Sequence, residues 1–383
     1  MKSSSAGFSE TWASVSLDLV RGLAAILVLV DHWRNLFFIH FHEVGTHRFL
    51  LAGPYIVTAG GHQAVVIFFV LSGFVIARTI QRAFDRGQWG WASYLTHRLV
   101  RLWIVLVPGL VLCLVWDRIG AALGTVPWSH FANQTGHAPL YATPDDGVIA
   151  FIGNLLFVQE VLVPAFGTDG PLWSLANEFW YYILFPLGLI AVLPTSRLRT
   201  RLINTALVVV LGIWLGPTLL PLFPIWLLGA VLLIFPQLPF GTSVRWLAAA
   251  AYVPIIFLCT HLYDSLRIGS DYLLAGATTL FLWTLLSASR KAQPDTVKVR
   301  FCRGLARFSY TLYVVHLPLL TLIAALIVGD QRWQPTLPHI AAASSVLAVT
   351  IGFAYAIASL TEFHTESARR CLERRFGLGS SNA

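Results

Sequence analysis

The stretch that decides the fold covers residues 17–38 and reads LDLVRGLAAILVLVDHWRNLFF. It is long enough to cross a bilayer as a helix, which takes about 20 mostly apolar residues. Arg21 and His32 lie eleven positions apart within it. At 3.6 residues per turn, that separation returns to within about 20° of the same helix face, roughly 16 Å further along the axis. Titratable groups inside a membrane usually face a bundle interior or an aqueous cavity, so this pair is a candidate functional site.

The rest of the chain has the composition of a membrane protein. Of its 383 residues, 56% are hydrophobic and 11% are charged, and the mean hydropathy is +0.70. Soluble domains carry about 25% charged residues. The sequence therefore predicts an all-α polytopic integral membrane protein with about ten transmembrane helices. They are expected at residues 17–38, 62–80, 98–116, 172–193, 202–216, 219–236, 246–260, 272–288, 308–328 and 338–360.

A further apolar segment, residues 147–164, is interrupted by Asn154, Gln159 and Glu160. Such interruptions favour a short re-entrant or interfacial segment over a crossing. With ten crossings and a cytoplasmic N-terminus, most Lys and Arg fall on the cytoplasmic side, as the positive-inside rule requires. An eleventh crossing at 147–164 would invert every later loop.

This topology sets the expected organisation and location of the chain. Residues 1–16 form a cytoplasmic N-terminal segment, 17–360 the membrane domain, and 361–383 a basic, partly disordered cytoplasmic tail. The loop at 117–146 is expected outside, and the protein is expected in the cytoplasmic (inner) membrane without a cleaved signal peptide. The net charge of +8 is explained by loop-end anchors, because the basic residues form no single patch of the kind that binds nucleic acid.

Two polar features mark the second and third expected spans. Ser72 lies in the stretch FFVLSGF at 68–74, where Ser and Gly are also the usual residues of close helix packing. Arg98 and Arg101 begin the third span, where long basic side chains commonly anchor a helix at the interface. The functional alternative for the two arginines is a phosphate clamp, since guanidinium groups match phosphate oxygens.

Two more features mark the fourth and ninth expected spans. Glu178 ends the stretch PLWSLANE at 171–178, one position beyond the place of a capping-box partner for Ser174. His316 lies in SYTLYVVHLP at 309–318, two positions before Pro318. Its alternative role is only to satisfy local backbone groups. Other histidines, among them His40, His42, His47 and His62, are expected at the outer surface. A His-x-His spacing alone is weak evidence, so no metal site is expected.

Taken in order along the chain, these motifs resemble the acyltransferase-3 family over about residues 16–360. The resemblance implies an integral membrane enzyme that moves an acyl group, often acetyl, from cytoplasmic acyl-CoA to a hydroxyl group. The acceptor implied is a cell-surface glycan, a lipid-linked sugar or a small molecule. Acyl-CoA is the donor substrate, no bound cofactor is implied, and the chain is too short for the esterase-like domain that some members carry.

The family's functional positions transfer to this chain residue by residue. The resemblance implies that its first-span arginine and histidine are Arg21 and His32 and that its motif acid is Glu178. Its basic pair falls on Arg98 and Arg101, and its late histidine on His316. The second acid that often follows the motif glutamate is Phe179 here, so Glu178 has no neighbouring carboxylate to replace it.

These residues suggest a mechanism. The phosphates of acyl-CoA would lie near Arg98 and Arg101, and the thioester in a cavity lined by Arg21, Ser72, His316 and His32. His32 would act as general base on the acceptor hydroxyl, a role worth about 10² to 10⁴ in rate. Glu178, or Asp31 beside His32, would orient the imidazole ring.

Three alternatives remain open at this point. Within the enzyme class, His32 could be a nucleophile that forms a covalent acyl-enzyme. A secondary transporter would also use intramembrane Arg, His and Glu near broken helices. A membrane scaffold would leave those three costly groups without a role.

Overall fold

A computed structural model describes residues 11–45, 48–125, 145–287, 296–329 and 331–376. Within these ranges the chain consists of helices and turns, with isolated bridges and no β-strand, which confirms the predicted all-α class. The helices are α1 (Trp12–Phe37), α2 (Arg48–Val57), α3 (Gly61–Asp85), α4 (Trp91–Ala122), α5 (Val148–Leu155), α6 (Leu172–Val192), α7 (Leu198–Leu219), α8 (Phe223–Val231), α9 (Thr242–Leu266), α10 (Ile268–Leu286), α11 (Val297–Arg307), α12 (Ser309–Ile327), α13 (Leu337–Leu360) and α14 (Thr365–Phe376).

Eight helical stretches of the described residues are long and apolar enough to cross a membrane. They are α1, α2 with α3, α4, α6, α7 with α8, α9, α12, and α13 with α14. The chain is therefore a polytopic membrane protein. The expected crossings at 202–216 and 219–236 both begin inside the same stretch, α7 with α8. Helix α10, which matches the expected crossing at 272–288, is not among the eight. The count of ten stays a prediction.

The region of α7, α8 and α10 shows how one apolar stretch can hold two crossings. Gly216, near the end of α7, has φ 53° and ψ −152°, so the helix is broken there. The Tyr272 hydroxyl donates to the carbonyl oxygen of Pro221 at 2.7 Å, and the Trp283 indole to that of Pro236 at 2.8 Å. Helix α10 advances by about 16 Å between these two aromatic residues. Residues 221–236 thus run beside α10 in the same direction over that length, as a crossing at 219–236 requires.

The segment expected to be re-entrant contains only a short helix. Helix α5 has 8 residues, so it is about 12 Å long, against a hydrocarbon core of about 30 Å. Phe157 and Glu160 then take positive φ values, and the chain turns towards the start of α6. Of the loop expected at 117–146, residues 126–144 lie outside the described part, as do residues 377–383 of the tail.

Helices α3 and α12 form the centre of the bundle, and α1 packs against both of them. Helix α3 also packs against α8 and α10, and α12 against α4 and α13. Helices α7, α9 and α13 instead expose apolar side chains, such as Ile213, Leu247 and Val349. An apolar outer face suits contact with lipid, and α1 between the two central helices presents its polar residues to the interior.

The bundle has two ends that organise the site. We call the end where α1 begins the proximal end; there His97 of α4 contacts Glu373 of α14. We call the end where α1 finishes the distal end; there the amide of Ile39 donates to the carbonyl oxygen of Trp333 at 3.2 Å. Helix α1 is unbroken between them, so Arg21 lies towards the proximal end and His32 towards the distal end.

Candidate active site

The structure brings His32 of α1 and His316 of α12 into direct contact. His32 Nδ1 lies 2.9 Å from His316 Nε2, and the two rings stack with their centroids 5.1 Å apart. His316 is fully buried in the middle of α12, whereas His32 is half-buried. The two histidines that the sequence marked in separate spans thus form one pair.

The backbone of α12 fixes which nitrogen of each ring carries hydrogen. His316 Nδ1 lies 2.9 Å from the carbonyl oxygen of Leu312 and 2.8 Å from that of Tyr313. Carbonyl oxygens only accept, so this nitrogen carries the hydrogen and Nε2 of a neutral His316 is an acceptor. His32 Nδ1 must then donate to it. This assigns the free lone pair of His32 to Nε2.

A cavity of about 660 Å³ opens beside His32 at the distal end. It is lined by residues of several helices, among them Trp173 of α6, Tyr263 of α9 and Tyr313 of α12. Because His316 occupies Nδ1 of His32, Nε2 is the nitrogen that a ligand in this cavity can reach. The Tyr313 hydroxyl is held at 2.6 Å from Ser174 Oγ, which fixes that wall of the cavity.

Asp31, the neighbour of His32, also lines the cavity but is engaged elsewhere. Its carboxylate accepts from Arg34 at 3.4 Å and from the Asn35 amide at 3.3 Å. It also lies against Gly61, where an added Cβ would come within 2.6 Å of Asp31 Oδ2. These contacts fix the carboxylate at the start of α3, so Asp31 is not the group that holds the His32 ring.

Glu178 lies in a different network from His32. Its Oε1 accepts a hydrogen bond from Ser72 Oγ at 2.9 Å and another from the Tyr182 hydroxyl. The Trp226 indole of α8 donates to the same serine oxygen at 3.2 Å. The expectation that Glu178 orients His32 is therefore not met, because His316 takes that place. Ser72 and Glu178, chosen from separate motifs, are direct partners.

Arg98 extends this network towards the proximal end. Its guanidinium carbon lies 5.7 Å from the ring centroid of Tyr94 and 5.9 Å from that of Tyr182. Its Nε is buried and has no hydrogen-bond partner within the described residues. Cation–π contacts of this kind hold the group without using its N–H donors. Arg98 therefore keeps donors available beside the Glu178 network.

Arg21 and Arg101 form the proximal part of the predicted site. Arg21 Nη2 donates to Asp18 at 2.8 Å, and Arg101 and Glu362 both lie within electrostatic range of Arg21. Arg101 itself is exposed, whereas the Nε of Arg21 is buried without a partner in the described chain. The predicted donor-binding residues are thus divided among three places: Arg21 with Arg101, Arg98 with Ser72, and His316 with His32.

Two residues that were not predicted for the site lie in the cavity wall and beside Ser72, namely His62 and Trp226. His62, expected at the outer surface, lines the cavity, and its Nε2 lies 2.9 Å from Asp271 Oδ1. Trp226 is fully buried against Ser72 and Tyr181. Nothing in the spacing of either residue points to these contacts, because each partner comes from another helix.

Asp169, in the loop before α6, is a buried carboxyl that stays out of the cavity. It is 0% exposed, and neither carboxyl oxygen has a hydrogen-bond partner among the described residues. Burial raises the pKa of this carboxyl well above its usual range, and the nearby Asp117 raises it further. Asp169 itself does not line the cavity, although the next two residues, Gly170 and Pro171, do.

A family model described as an acyltransferase domain matches residues 14–359 of the chain. No curated protein and no solved structure matches it significantly. The matched region contains every residue of the three clusters except Glu362, and it ends before α14.

Proposed function

The chain belongs to the acyltransferase-3 family, and we propose that it transfers an acyl group, in the first instance acetyl, from acyl-CoA to a hydroxyl group of a glycan, a lipid-linked sugar or a small molecule. As a member of this family it is an acyltransferase enzyme, not the secondary transporter that its intramembrane charges would also suit. The donor, the acyl group and the acceptor are the proposal.

The observation that carries the proposal is the His32–His316 pair at the wall of the distal cavity. His316 is tied to the backbone of α12 and holds His32 Nδ1, which leaves His32 Nε2 as a base towards the cavity. Imidazole is suited to this work because its unperturbed pKa lies near neutrality. A base held in one tautomer by a second group is the arrangement that activates a hydroxyl for acyl transfer.

The proposed reaction is a direct transfer in one step. His32 Nε2 takes the proton of the acceptor hydroxyl while the hydroxyl oxygen attacks the thioester carbonyl carbon. The new C–O bond forms, the C–S bond breaks, and the proton then passes from His32 to the leaving CoA thiolate. The ester and free CoA are released with His32 neutral again, and His316 stabilises the transient imidazolium by accepting from Nδ1 throughout.

The donor is proposed to enter from the proximal end. We propose that this end faces the cytoplasm, as the distribution of Lys and Arg favours, and that the membrane is the cytoplasmic (inner) one. Arg98 has a buried guanidinium nitrogen that finds no hydrogen-bond partner in the described part of the chain, and Arg101 is exposed one turn away on α4. Two guanidinium groups at this spacing suit the phosphates of CoA. Arg21 beside Arg101 and Ser72 beside Glu178 complete the proposed donor side. Acyl-CoA is a substrate in this scheme, and no other cofactor is proposed.

The test uses the purified protein in lipid nanodiscs with radiolabelled acetyl-CoA and a panel of hydroxyl acceptors. His32→Ala should reduce transfer about 10²- to 10⁴-fold, the usual contribution of a positioned base. The matched control is His42→Ala, which removes an exposed histidine at the same end. Normal transfer by folded, membrane-inserted His32→Ala would refute the assignment.

The covalent alternative is separated by leaving the acceptor out. Incubation of wild-type protein with labelled acetyl-CoA alone should leave no label on the protein after denaturation. Persistent label that disappears in His32→Ala would replace the direct scheme with an acyl-histidine intermediate.

A further inference from the structure

The distal cavity carries an excess of carboxylates. Four of its lining residues are acids, namely Asp31, Glu160, Asp264 and Asp271, and they come from α1, the loop before α6, α9 and α10. The structure describes every residue of this lining, and Arg267 is the one Lys or Arg among them. Two of these carboxylates are already paired, Asp31 with Arg34 and Asp271 with His62, so the excess of negative charge is smaller than the number of acids.

Resting on the proposed function of this cavity as the acceptor site, we propose that it takes an uncharged or cationic polyhydroxy compound, such as a neutral or amino sugar, and rejects anionic acceptors. Ionised carboxylates accept hydrogen bonds and donate none. They therefore match hydroxyl and ammonium groups, which donate, and they repel the carboxylate of a uronic or sialic acid. Repulsion of like charges is a common source of specificity at binding sites.

A buried amide supplies an independent sign of a polar ligand. Gln63 lines the cavity and is only 2% exposed, yet within the described chain its side chain forms no hydrogen bond. Its amide atoms are not among the fully buried, unpaired polar atoms of the described residues, so they are open to the cavity. A ligand hydroxyl in the cavity would give the Gln63 amide the partner that the protein does not provide.

Aromatic rings complete the lining. The ring of His62 lies between Tyr263, at 4.5 Å between centroids, and Trp173, at 6.4 Å, and Asp271 holds its Nε2. Binding sites for small molecules typically combine such rings with a few fixed polar groups. The apolar face of a pyranose ring can lie on these rings while its hydroxyls reach Gln63 and the acids. His62 and Asp271 are then positioning residues of the acceptor site.

The test measures binding without acyl-CoA, so its outcome does not depend on whether transfer occurs. Three probes differ only at C6: methyl glucoside, methyl 6-amino-6-deoxyglucoside and methyl glucuronide. Binding to the full-length protein in uncharged nanodiscs is followed by quenching of tryptophan fluorescence, with Trp173 in the cavity wall. Both charged probes lack the 6-hydroxyl, so the ratio of their dissociation constants reports charge.

The amino sugar should bind at least tenfold more tightly than the glucuronide, and the neutral glucoside should also bind more tightly than the glucuronide. Asp264→Asn should reduce the ratio of the two charged probes by about threefold, whereas the control Asp85→Asn at the proximal end should leave it unchanged. Equal binding of the charged probes, tighter binding of the glucuronide, or no binding of any probe would overturn the proposal. If the ratio is as expected but no acyl transfer to any acceptor occurs, only the proposed function fails.

Discussion

The bundle interior holds two hydrogen-bonded side-chain pairs that differ in their surroundings. His32 and His316 meet at the wall of the distal cavity, whereas Ser72 and Glu178 meet between α3 and α6 and are closed off by Trp226 and Tyr182. Each pair joins helices that are far apart in the sequence. Only the first leaves a basic nitrogen facing space that a substrate can fill.

The difference between the two pairs shows that a carboxylate and a histidine that both belong to the motifs of one site need not be hydrogen-bond partners. The usual orienting group of a catalytic histidine is a carboxylate. Here a second histidine takes that role, and the backbone of α12 fixes its tautomer. Glu178 is left to hold Ser72 and Tyr182, and through the Tyr182 ring it is connected to Arg98 and the proposed donor path.

The comparison is tested most strongly at His316. His316→Ala removes the acceptor for His32 Nδ1–H, so kcat should fall about 100-fold, the lower end of what a positioned base supplies. Rates of acetyl transfer measured for each single variant and for the double variant with His32→Ala check this. The double variant should be no slower than His32→Ala alone, because the two residues act as one unit.

His316→Gln provides the matched control for this prediction. The glutamine amide oxygen can accept from His32 Nδ1, so it should recover at least tenfold of the rate lost in His316→Ala. A His316→Ala protein with wild-type kcat would mean that His32 does not depend on its partner.

The Ser72–Glu178 pair depends on the close packing of α3 against α8. A Cβ at Gly73 would lie 1.9 Å from the carbonyl oxygen of Trp226, so α3 and α8 can approach this closely only with glycine there. Gly73→Ala should destabilise the protein by about 1–3 kcal/mol, as overpacking does. Thermal unfolding in detergent measures the loss. The control is Gly188→Ala on α6, where an added Cβ meets no atom within 4 Å; equal melting temperatures for both variants would contradict the close contact.

The sequence predicted the fold class, which the structure confirms, and it offered a set of candidate site residues, but it did not predict which of them meet. Apolar stretches reveal helices, and their polar residues stand out because they are costly in a membrane. The pairing of His32 with His316 depends on how α1 and α12 are rotated and placed, and no local pattern contains that information. The break at Gly216 likewise makes the number of spans hard to count from hydropathy alone.

Helix rotation also explains why Glu178 was paired with the wrong partner. Glu178 was expected to orient the His32 ring, but successive residues on a helix point about 100° apart. Asn177 lines the distal cavity, while Glu178 turns to Ser72. His62 was expected at the surface for a related reason, since its partner Asp271 comes from α10.

The pH dependence of kcat should distinguish the Ser72–Glu178 pair from the His32–His316 pair. Glu178→Gln keeps an oxygen that accepts from Ser72 and Tyr182 but removes the charge, so transfer should fall by about tenfold, in line with hydrogen bonds to charged groups. The pH at which kcat reaches half its maximum should not move, because His32 is held by His316. A Glu178→Gln profile whose midpoint differs from that of the wild type would show that Glu178 acts on the base after all.

The fourth and smallest effect is expected at the proximal end. Arg101 is exposed, so its interaction with a CoA phosphate is screened by solvent, and Arg101→Ala should raise the KM for acetyl-CoA only about threefold. Arg98 is partly buried between two tyrosine rings, and Arg98→Ala should raise that KM more, with the KM for the acceptor unchanged in both variants.

The control is Arg199→Ala, which removes an exposed arginine at the start of α7. An arginine that anchors the helix at the membrane interface and one that binds a phosphate would occupy the same position on α4. The KM for the donor distinguishes the two roles. If the KM for acetyl-CoA is unchanged in both α4 variants, Arg98 and Arg101 are membrane anchors and do not bind the donor.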